Sequence, residues 1–339
     1  MKKIALIVDT DNWAFANIAR NVCKRLSDYY EFIVIPVTYL DNNMVKVWLA
    51  TKDCDLVHLL WRGLYYYHNY NDFDNYILES GGDVDNFKKK FIFNQNVSTD
   101  VYDHLFLPEN EGFEITKYIF SKCKNYYVSS KKLYNIYNKL PIKYKPWGVI
   151  TDGVDLEKFY PQNLKRFDDI SNRKVVVGWV GNSKWKDDCS DHKGVNTIIK
   201  PVIEQLIKEG YPLEMYFADK NERMIPNDEM VDYYSKIDIY ICASESEGTP
   251  NPVLEAMACG VPIISTDVGI VTEALGKLQQ KYILKSRTKE DLKNKIIKLM
   301  QDKNEFKKLS EENLQSIQSW SWDEKAKQFK DFFDYCLKK

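Results

Sequence analysis

The chain reads as an α/β protein made of two doubly wound parallel-sheet domains. Three observations predict this. Short, continuous apolar runs alternate with amphipathic helical patterns. The alternation restarts once, near residue 174. A polar stretch, "DLEKFYPQNLKRFDDISNR" (Asp155–Arg173), separates the two halves. Runs that are apolar throughout, instead of at every second residue, fit strands covered on both faces. Strands that alternate with helices imply a parallel sheet with right-handed crossovers.

In the first half, "KIALIVD" (Lys3–Asp9) is expected to be a buried strand, and Trp13–Tyr30 the amphipathic helix after it. Strands then follow at Glu31–Val37, Asp55–Leu60, Lys90–Gln95 and Asn125–Ser130. In the second half, "KVVVGWVGN" (Lys174–Asn182) is a new first strand ending in a glycine turn. A helix over Gly194–Gly210 comes next, then strands at Leu213–Asp219, Asp238–Ser244 and Val261–Thr266. The expected division is a first domain over 1–150, an interdomain segment over 151–173, a second domain over 174–319, and a last helix over 320–339 crossing back to the first domain. Ligands of such sheets bind beyond the carboxyl ends of the strands. Two such edges facing one another would make a cleft for two substrates.

Composition narrows the function. A net charge of −1 offers no support for nucleic-acid binding. The seven cysteines (Cys23, Cys54, Cys123, Cys189, Cys242, Cys259, Cys336) are scattered and odd in number, which fits reduced thiols instead of a disulfide framework. The apolar run after Lys2–Lys3 stops at Asp9, too short for a signal peptide, and no stretch approaches the roughly 20 apolar residues of a membrane span. A cytoplasmic place is expected, with peripheral attachment to the inner face of a membrane as an option.

The second half carries the chemistry. "SESEGTPNPVLEAMACGVPIIS" (Ser244–Ser265) begins where a strand runs out. A helix is expected to start between Thr249 and Asn251, since both can cap and the prolines at 250 and 252 suit a first helical turn. Glu247 then sits on the loop and Glu255 about one turn inside the helix. The positive helix end should keep both ionised. An ionised carboxylate only accepts hydrogen bonds, which suits vicinal hydroxyls: one glutamate for a ribose diol, the other for hexose hydroxyls. Gly248 permits close backbone approach to a diphosphate. After the first strand of this half come Gly181, Asn182, Ser183 and Lys184, and Lys193–Gly194 opens a helix whose amides, with the two lysines, would suit a phosphate. The order is neither a P-loop nor GxGxxG.

These residues resemble the family-4 retaining glycosyltransferases, whose GT-B fold sets two Rossmann-like domains face to face. "ESEGTPNPVLEAMACGVPIISTDVG" is similar to their signature of two glutamates with seven residues between them. "KPWGVITDGVDLEKFYP" (Lys145–Pro161), "GWVGNSKW", "DHKGVNTIIKPV", "MVDYYSKIDIYICAS" and the terminal "SWSWDEKAKQF" fit as well, so the likeness spans about residues 145–335. The resemblance implies that Glu255 binds the nucleotide ribose. It places Glu247 with the Gly248–Thr249 backbone, flanked by Ser246, at the transferred sugar and diphosphate, and makes Lys193 the phosphate-binding lysine. The family has Gly-Arg where this chain has Gly181–Asn182, and Lys184 would supply the missing charge. It has Asn where this chain has Asp152.

The first half departs from the family. Its glycine-rich acceptor loop is replaced by "DTDNWAF" (Asp9–Phe15), and its active-site histidine has no clear counterpart. Asn96, His104 and His58 are the candidates. Asp11, Asn12, Trp13, Trp61 and Arg62 are expected to meet the acceptor. Two Asp-x-Asp pairs (Asp72–Asp74, Asp83–Asp85) and "DDCSDH" (Asp187–His192) read as ordinary acidic loops, so no metal and no tightly bound cofactor is expected. From Ile115 to Thr151 there are eight lysines, no acidic residue, six tyrosines and one tryptophan. This segment would suit an anionic membrane, or be a solvated face with aromatics packed beneath.

The expected activity is transfer of a sugar from a nucleotide diphosphate sugar to a hydroxyl of a glycan, glycolipid or other acceptor, as in cell-surface polysaccharide or glycoconjugate synthesis. The resemblance implies retention of anomeric configuration. The developing charge on the leaving diphosphate would be met by Lys184, Lys193 and helix-mouth amides, with Glu247 at the transferred sugar. A nucleotide-sugar epimerase of similar fold and a non-catalytic nucleotide-sugar-binding module are the rival readings.

Overall fold

A computed structural model describes residues 1–11, 13–69, 71–103, 111–184 and 191–338. The chain divides into two compact units, Met1–Asp152 with Trp322–Lys339, and Gly153–Ser321.

The first unit holds strands β1 (Lys2–Val8), β2 (Tyr30–Pro36), β3 (Leu56–Leu59), β4 (Val97–Val101) and β5 (Asn125–Val128). Its helices are α1 (Ala14–Leu26), α2 (Met44–Ala50), α3 (Asn71–Glu79), α4 (Val84–Lys88), α5 (Glu111–Lys122) and α6 (Lys131–Tyr137). The strands pair in parallel in the order β2-β1-β3-β4-β5. Strand β1 shows why its run is apolar throughout. Ile4, Leu6 and Val8 pack on one face of the sheet, and Ala5 and Ile7 on the other. All five are at most 1% exposed.

The second unit holds β6 (Val175–Gly181), β7 (Leu213–Asp219), β8 (Ile239–Cys242), β9 (Ile263–Thr266) and β10 (Ile283–Leu284). Its helices are α7 (Lys200–Lys208), α8 (Met230–Tyr234), α9 (Asn251–Ala258), α10 (Val271–Ala274), α11 (Lys289–Gln301) and α12 (Lys303–Ser316). All pairs are again parallel, in the order β10-β9-β8-β6-β7. Counted from its own first strand this is the same arrangement as in the first unit, so each sheet reverses its winding between its first and third strands. Those two switch points, β1/β3 and β6/β8, are where such sheets take ligands. The last helix, α13 (Trp322–Leu337), belongs to the first unit. It buries Trp322, Ala326, Phe329, Phe333 and Cys336 at alternating steps of four and three, together with Phe332. The two parallel-sheet α/β domains are the organisation of the GT-B fold.

Three readings of the sequence are corrected. The run Lys90–Gln95 is not a strand: Lys89–Phe93 is a turn of π-helix after α4, and the strand is the more polar Val97–Val101. Its buried polar groups find tertiary partners. The Thr99 hydroxyl donates to the Leu59 carbonyl (2.8 Å), Ser98 Oγ meets His58 Nδ1 (2.9 Å), and Asp100 accepts from the Trp61 amide (3.1 Å). Second, the helix expected from Gly194 opens with a π-helical turn, Val195–Ile199, before α7 proper. Third, the lysine-rich segment over 115–151 turns its tyrosines inward and offers no support for membrane contact. Tyr126, Tyr127 and Tyr137 are at most 2% exposed, and Tyr126 stacks on Phe120 at 3.7 Å. Among the described residues no helix is long and apolar enough to cross a membrane.

Candidate functional site

The switch point of the second unit gathers most of the residues singled out from sequence. Strand β6 ends at Gly181, and the loop beyond it is tied down by Asp219 at the end of β7. The Asp219 carboxylate accepts from the amides of Ser183 (3.2 Å) and Asn221 (3.1 Å). Burial pushes this carboxyl up, but the hydrogen bonds more than offset it and leave it below the usual range. Asn182 Oδ1 accepts from the Lys184 amide (2.9 Å) and from Asn221 Nδ2 (2.7 Å). The Lys184 side chain is exposed and has no ion pair among the described residues.

Strand β8 supplies the opposite wall. Lys193 Nζ meets Glu247 Oε1 at 2.5 Å, and both side chains remain partly open to solvent. The turn that carries Lys193 is pinned to the end of β8. Gly194 lies at φ +69°, and a Cβ there would come within 2.6 Å of the Ala243 carbonyl oxygen, so this crossing admits only glycine. Arg287 donates from Nε to the Ala243 carbonyl (2.8 Å) and from Nη2 to the Asp191 carbonyl (2.5 Å). The Asp191 carboxylate caps the helix, accepting from the amides of Val195 (3.2 Å), Asn196 (2.7 Å) and Thr197 (2.6 Å). This corrects the expectation that these amides await a phosphate, because a carboxylate of the chain already holds them.

The mouth of α9 is different. Helix α9 begins at Asn251, and its N-cap position, Pro250, makes no side-chain capping bond. Neither Thr249 nor Asn251 caps. The Thr249 hydroxyl is buried and has no partner among the described residues. Among the described residues nothing accepts from the amides of Glu247, Gly248 and Thr249. The Gly248 carbonyl is crowded by Gly269, at φ +49°, where any Cβ would collide with it. Loop 246–249 therefore presents unspent donors at the positive end of a helix, next to Lys193. Open amides at a helix mouth beside a lysine suit an anion.

Glu255 lies on α9 at the same mouth, partly exposed. Its Oε2 accepts from the Tyr234 hydroxyl at 2.8 Å. Burial pushes the Glu255 carboxyl above the usual range, while the Tyr234 hydrogen bond and the charge of Lys158 pull it down. Burial thus opposes the helix end at this carboxyl.

The first-unit candidates lie elsewhere. His58 is inside β3, 0% exposed, stacked on Tyr127 and bracketed by Phe332 and Phe333. Burial lowers its pKa to about 3. A neutral, enclosed imidazole cannot reach a substrate. Asn96 precedes the amino end of β4, the edge opposite to ligand binding, and its amide donates to the carbonyls of Asp55 (3.1 Å) and Cys336 (2.8 Å). His104 and Asn12, with Asp187 and Cys189, lie outside the described residues. After β1, Asp11 accepts from Arg20 (3.1 Å) and Tyr39 (2.8 Å), and Trp13 is 48% exposed. After β3, Trp61 stands at φ 124°, and Arg62 is 3% exposed and paired with Asp103 at 2.7 Å. Asp83 caps α4, and Asp74 pairs with Lys88. Among the described residues no group of three or more His, Cys, Asp or Glu side chains is placed to hold a metal.

Sequence reasoning missed Asp191, Asp219, Tyr234 and Arg287 as residues that shape this site. Asp191 was legible as a cap ahead of a helix. The others act across 21 to 96 positions of chain, where no local pattern signals contact.

Comparison with known proteins bears on the family likeness and the fold. Residues 221–315 match the model of the family described as Glycosyl transferases group 1. This stretch contains Tyr234, Glu247, Thr249 and Glu255. The chain is 26% identical over 245 residues to an uncharacterized glycosyltransferase of Methanocaldococcus jannaschii, covering 65% of this chain and 60% of that one. It is 24% identical over 200 residues to the N,N'-diacetylbacillosaminyl-diphospho-undecaprenol alpha-1,3-N-acetylgalactosaminyltransferase of Campylobacter jejuni, covering 55% and 53%. Among solved structures, HepE of Anabaena in complex with UDP and glucose superposes with a TM-score of 0.70 at 13% identity, over 98% of this chain and 100% of that one. Likeness at that identity speaks for the fold. The chain spans between 18% and 60% of the length of the curated relatives it matches. The family match covers 221–315 of the chain, and the likeness to solved structures shows the two-domain fold.

Proposed function

We propose that this protein transfers a sugar from a nucleotide diphosphate sugar to an acceptor hydroxyl, and that the donor binds at the β6/β8 switch point of the second unit. One observation carries the reading. Two carboxylates, Glu247 and Glu255, flank a helix mouth whose amides and Thr249 hydroxyl are unspent, with Lys193 2.5 Å from the first carboxylate. In this reading Glu255 accepts from the ribose hydroxyls. Loop 246–249, with Gly181, Asn182, Lys184 and Lys193, receives the diphosphate, and Glu247 orients the transferred sugar. As the sugar–phosphate bond breaks, negative charge grows on the leaving diphosphate, where Lys193, Lys184 and the loop amides favour it.

Asp11, Asn12, Trp13, Trp61 and Arg62 are proposed for the acceptor. The resemblance adds retention of configuration and needs no metal or tightly bound cofactor. The Campylobacter relative's printed name, with its diphospho-undecaprenol acceptor, supports a glycolipid or polysaccharide acceptor. Cytoplasmic placement belongs to the same proposal.

A thermal-shift panel with UDP, GDP, CMP, ADP, NAD and available sugar conjugates tests this. A ligand at 100 times its dissociation constant adds about 2.7 kcal/mol. The expected result is stabilisation by one nucleoside diphosphate, greater with one sugar attached, followed by transfer that depends on added acceptor. Turnover without acceptor would favour an epimerase. Binding without turnover would leave a binding module, and no stabilisation by any ligand would contradict the donor site.

A further inference from the structure

Helix α8 is short, and its last residue, Tyr234, is buried to 0% exposure. The ring is fixed by edge-on contacts with Tyr233 (5.3 Å), Phe159 (6.0 Å) and Tyr240 (6.4 Å). A buried tyrosine usually spends its hydroxyl on a backbone carbonyl or a water. Neighbouring Tyr233 does so, bridging the carbonyls of Trp179 (3.0 Å) and Tyr216 (2.8 Å). Tyr234 instead donates its hydroxyl to Glu255 Oε2, at 2.8 Å. Among the described residues Glu255 Oε1 has no hydrogen-bond partner, although the side chain is partly open to solvent. One carboxylate oxygen is therefore held from inside the protein, and the other is presented at the helix mouth. Rotation of the carboxylate would break the inner bond and strand a phenol in an apolar enclosure, which is costly.

We propose that Tyr234 is a positioning residue of the donor site, locking the Glu255 carboxylate so that Oε1 faces the ribose hydroxyls of a nucleoside diphosphate, and that this lock sets preference for ribose over 2′-deoxyribose. The inference rests on the reading of Glu255 as the ribose ligand given above. A carboxylate free to turn can follow whichever hydroxyl remains. A fixed one rewards only a sugar that brings hydroxyls to its fixed direction.

The test is calorimetric binding of UDP, GDP, ADP and their 2′-deoxy counterparts to the intact chain and to Tyr234→Phe, Glu255→Gln and Tyr233→Phe. The unmodified protein should bind one ribonucleotide about tenfold or more tighter than its deoxy form, the scale of one hydrogen bond to a charged group. Tyr234→Phe keeps the ring and its packing. It should shrink that ratio at least about threefold, chiefly by weakening the ribonucleotide, and Glu255→Gln should nearly abolish it. Tyr233→Phe is the control for disturbed packing and should lower the melting temperature while keeping the ratio. An unchanged ratio in Tyr234→Phe, with Glu255→Gln impaired, overturns the inference and leaves the donor site standing. An unchanged ratio in Glu255→Gln, or no binding of any of these nucleotides by the unmodified chain, overturns the donor-site reading and the inference with it.

Discussion

The two sheets share a strand order, yet their switch points are finished differently. Beyond β3 and β4 of the first unit, polar groups are spent on one another. Arg62 pairs with Asp103, Asp100 takes the Trp61 amide, and the Tyr102 hydroxyl donates to Asp152 at 2.5 Å. Burial, reinforced by neighbouring Asp152, pushes the Asp100 carboxyl well above the usual aspartate range. Beyond β6 and β8 of the second unit, the amides of 247–249, the Thr249 hydroxyl and Glu255 Oε1 have no partner among the described residues, and Lys193 pairs with Glu247. The lesson is that topology nominates a place, while unsatisfied donors and acceptors decide whether a charged ligand belongs there. A buried network satisfied from within gains nothing by admitting one.

That contrast can be broken by mutation. The largest effect is expected at Lys193. Lys193→Ala should lower kcat about 10²- to 10³-fold with a smaller change in donor KM, and a raised donor KM with kcat unchanged would place the lysine in ground-state binding. Next, Glu255→Ala should weaken nucleotide affinity about 10- to 100-fold, read by calorimetry. Unchanged affinity would sink the ribose assignment.

Acidity separates the units further. The Glu255 carboxyl is raised, so its ionised form, which accepts from ribose, is lost as pH falls through that raised value. Donor affinity should therefore drop above the pH range where an ordinary glutamate titrates, and Glu255→Gln should flatten the profile. Stability carries the opposite sign for this group, because a raised carboxyl favours the fold at low pH and loses that contribution as pH rises. His58 behaves the other way. Its pKa falls from 6.5 to about 3 on burial, so the unfolded chain binds the extra proton. Stability should decline from pH 6.5 toward pH 3 by up to about 1.4 kcal/mol per pH unit. Unfolding free energies from urea titrations at pH 7 and pH 5 should differ by about 2 kcal/mol in the unmodified chain and by less in His58→Gln, whose nucleotide affinity at pH 7 should be unaltered. The smallest effect is expected from Trp13→Ala, a rise of a few-fold in acceptor KM with donor affinity untouched.

Much of this was legible in the sequence for a stated reason. Strands covered on both faces favour continuous apolar runs, and β6, β8 and the Ile4–Val8 part of β1 are such runs. The loop from Ser246 to Thr249 and the two glutamates were legible because prolines, a glycine and a strand end fix them locally. Strand β4 was not, since "VSTDV" is polar and its burial depends on His58, Leu59 and Trp61, some 40 residues away. The occupied mouth after Gly194 was missed because Asp191 was read with its acidic neighbours instead of as a cap. Tyr234 and Arg287 act through contacts that no local periodicity encodes.

The most direct measurement is amide hydrogen exchange on the intact chain, with and without a saturating amount of the nucleoside diphosphate found by thermal shift. The account predicts new protection at Glu247–Thr249 and the first turn of α9, with the loops after β1 and β3 unchanged. Protection confined to the loops after β1 and β3 would contradict it and move the donor to the first unit.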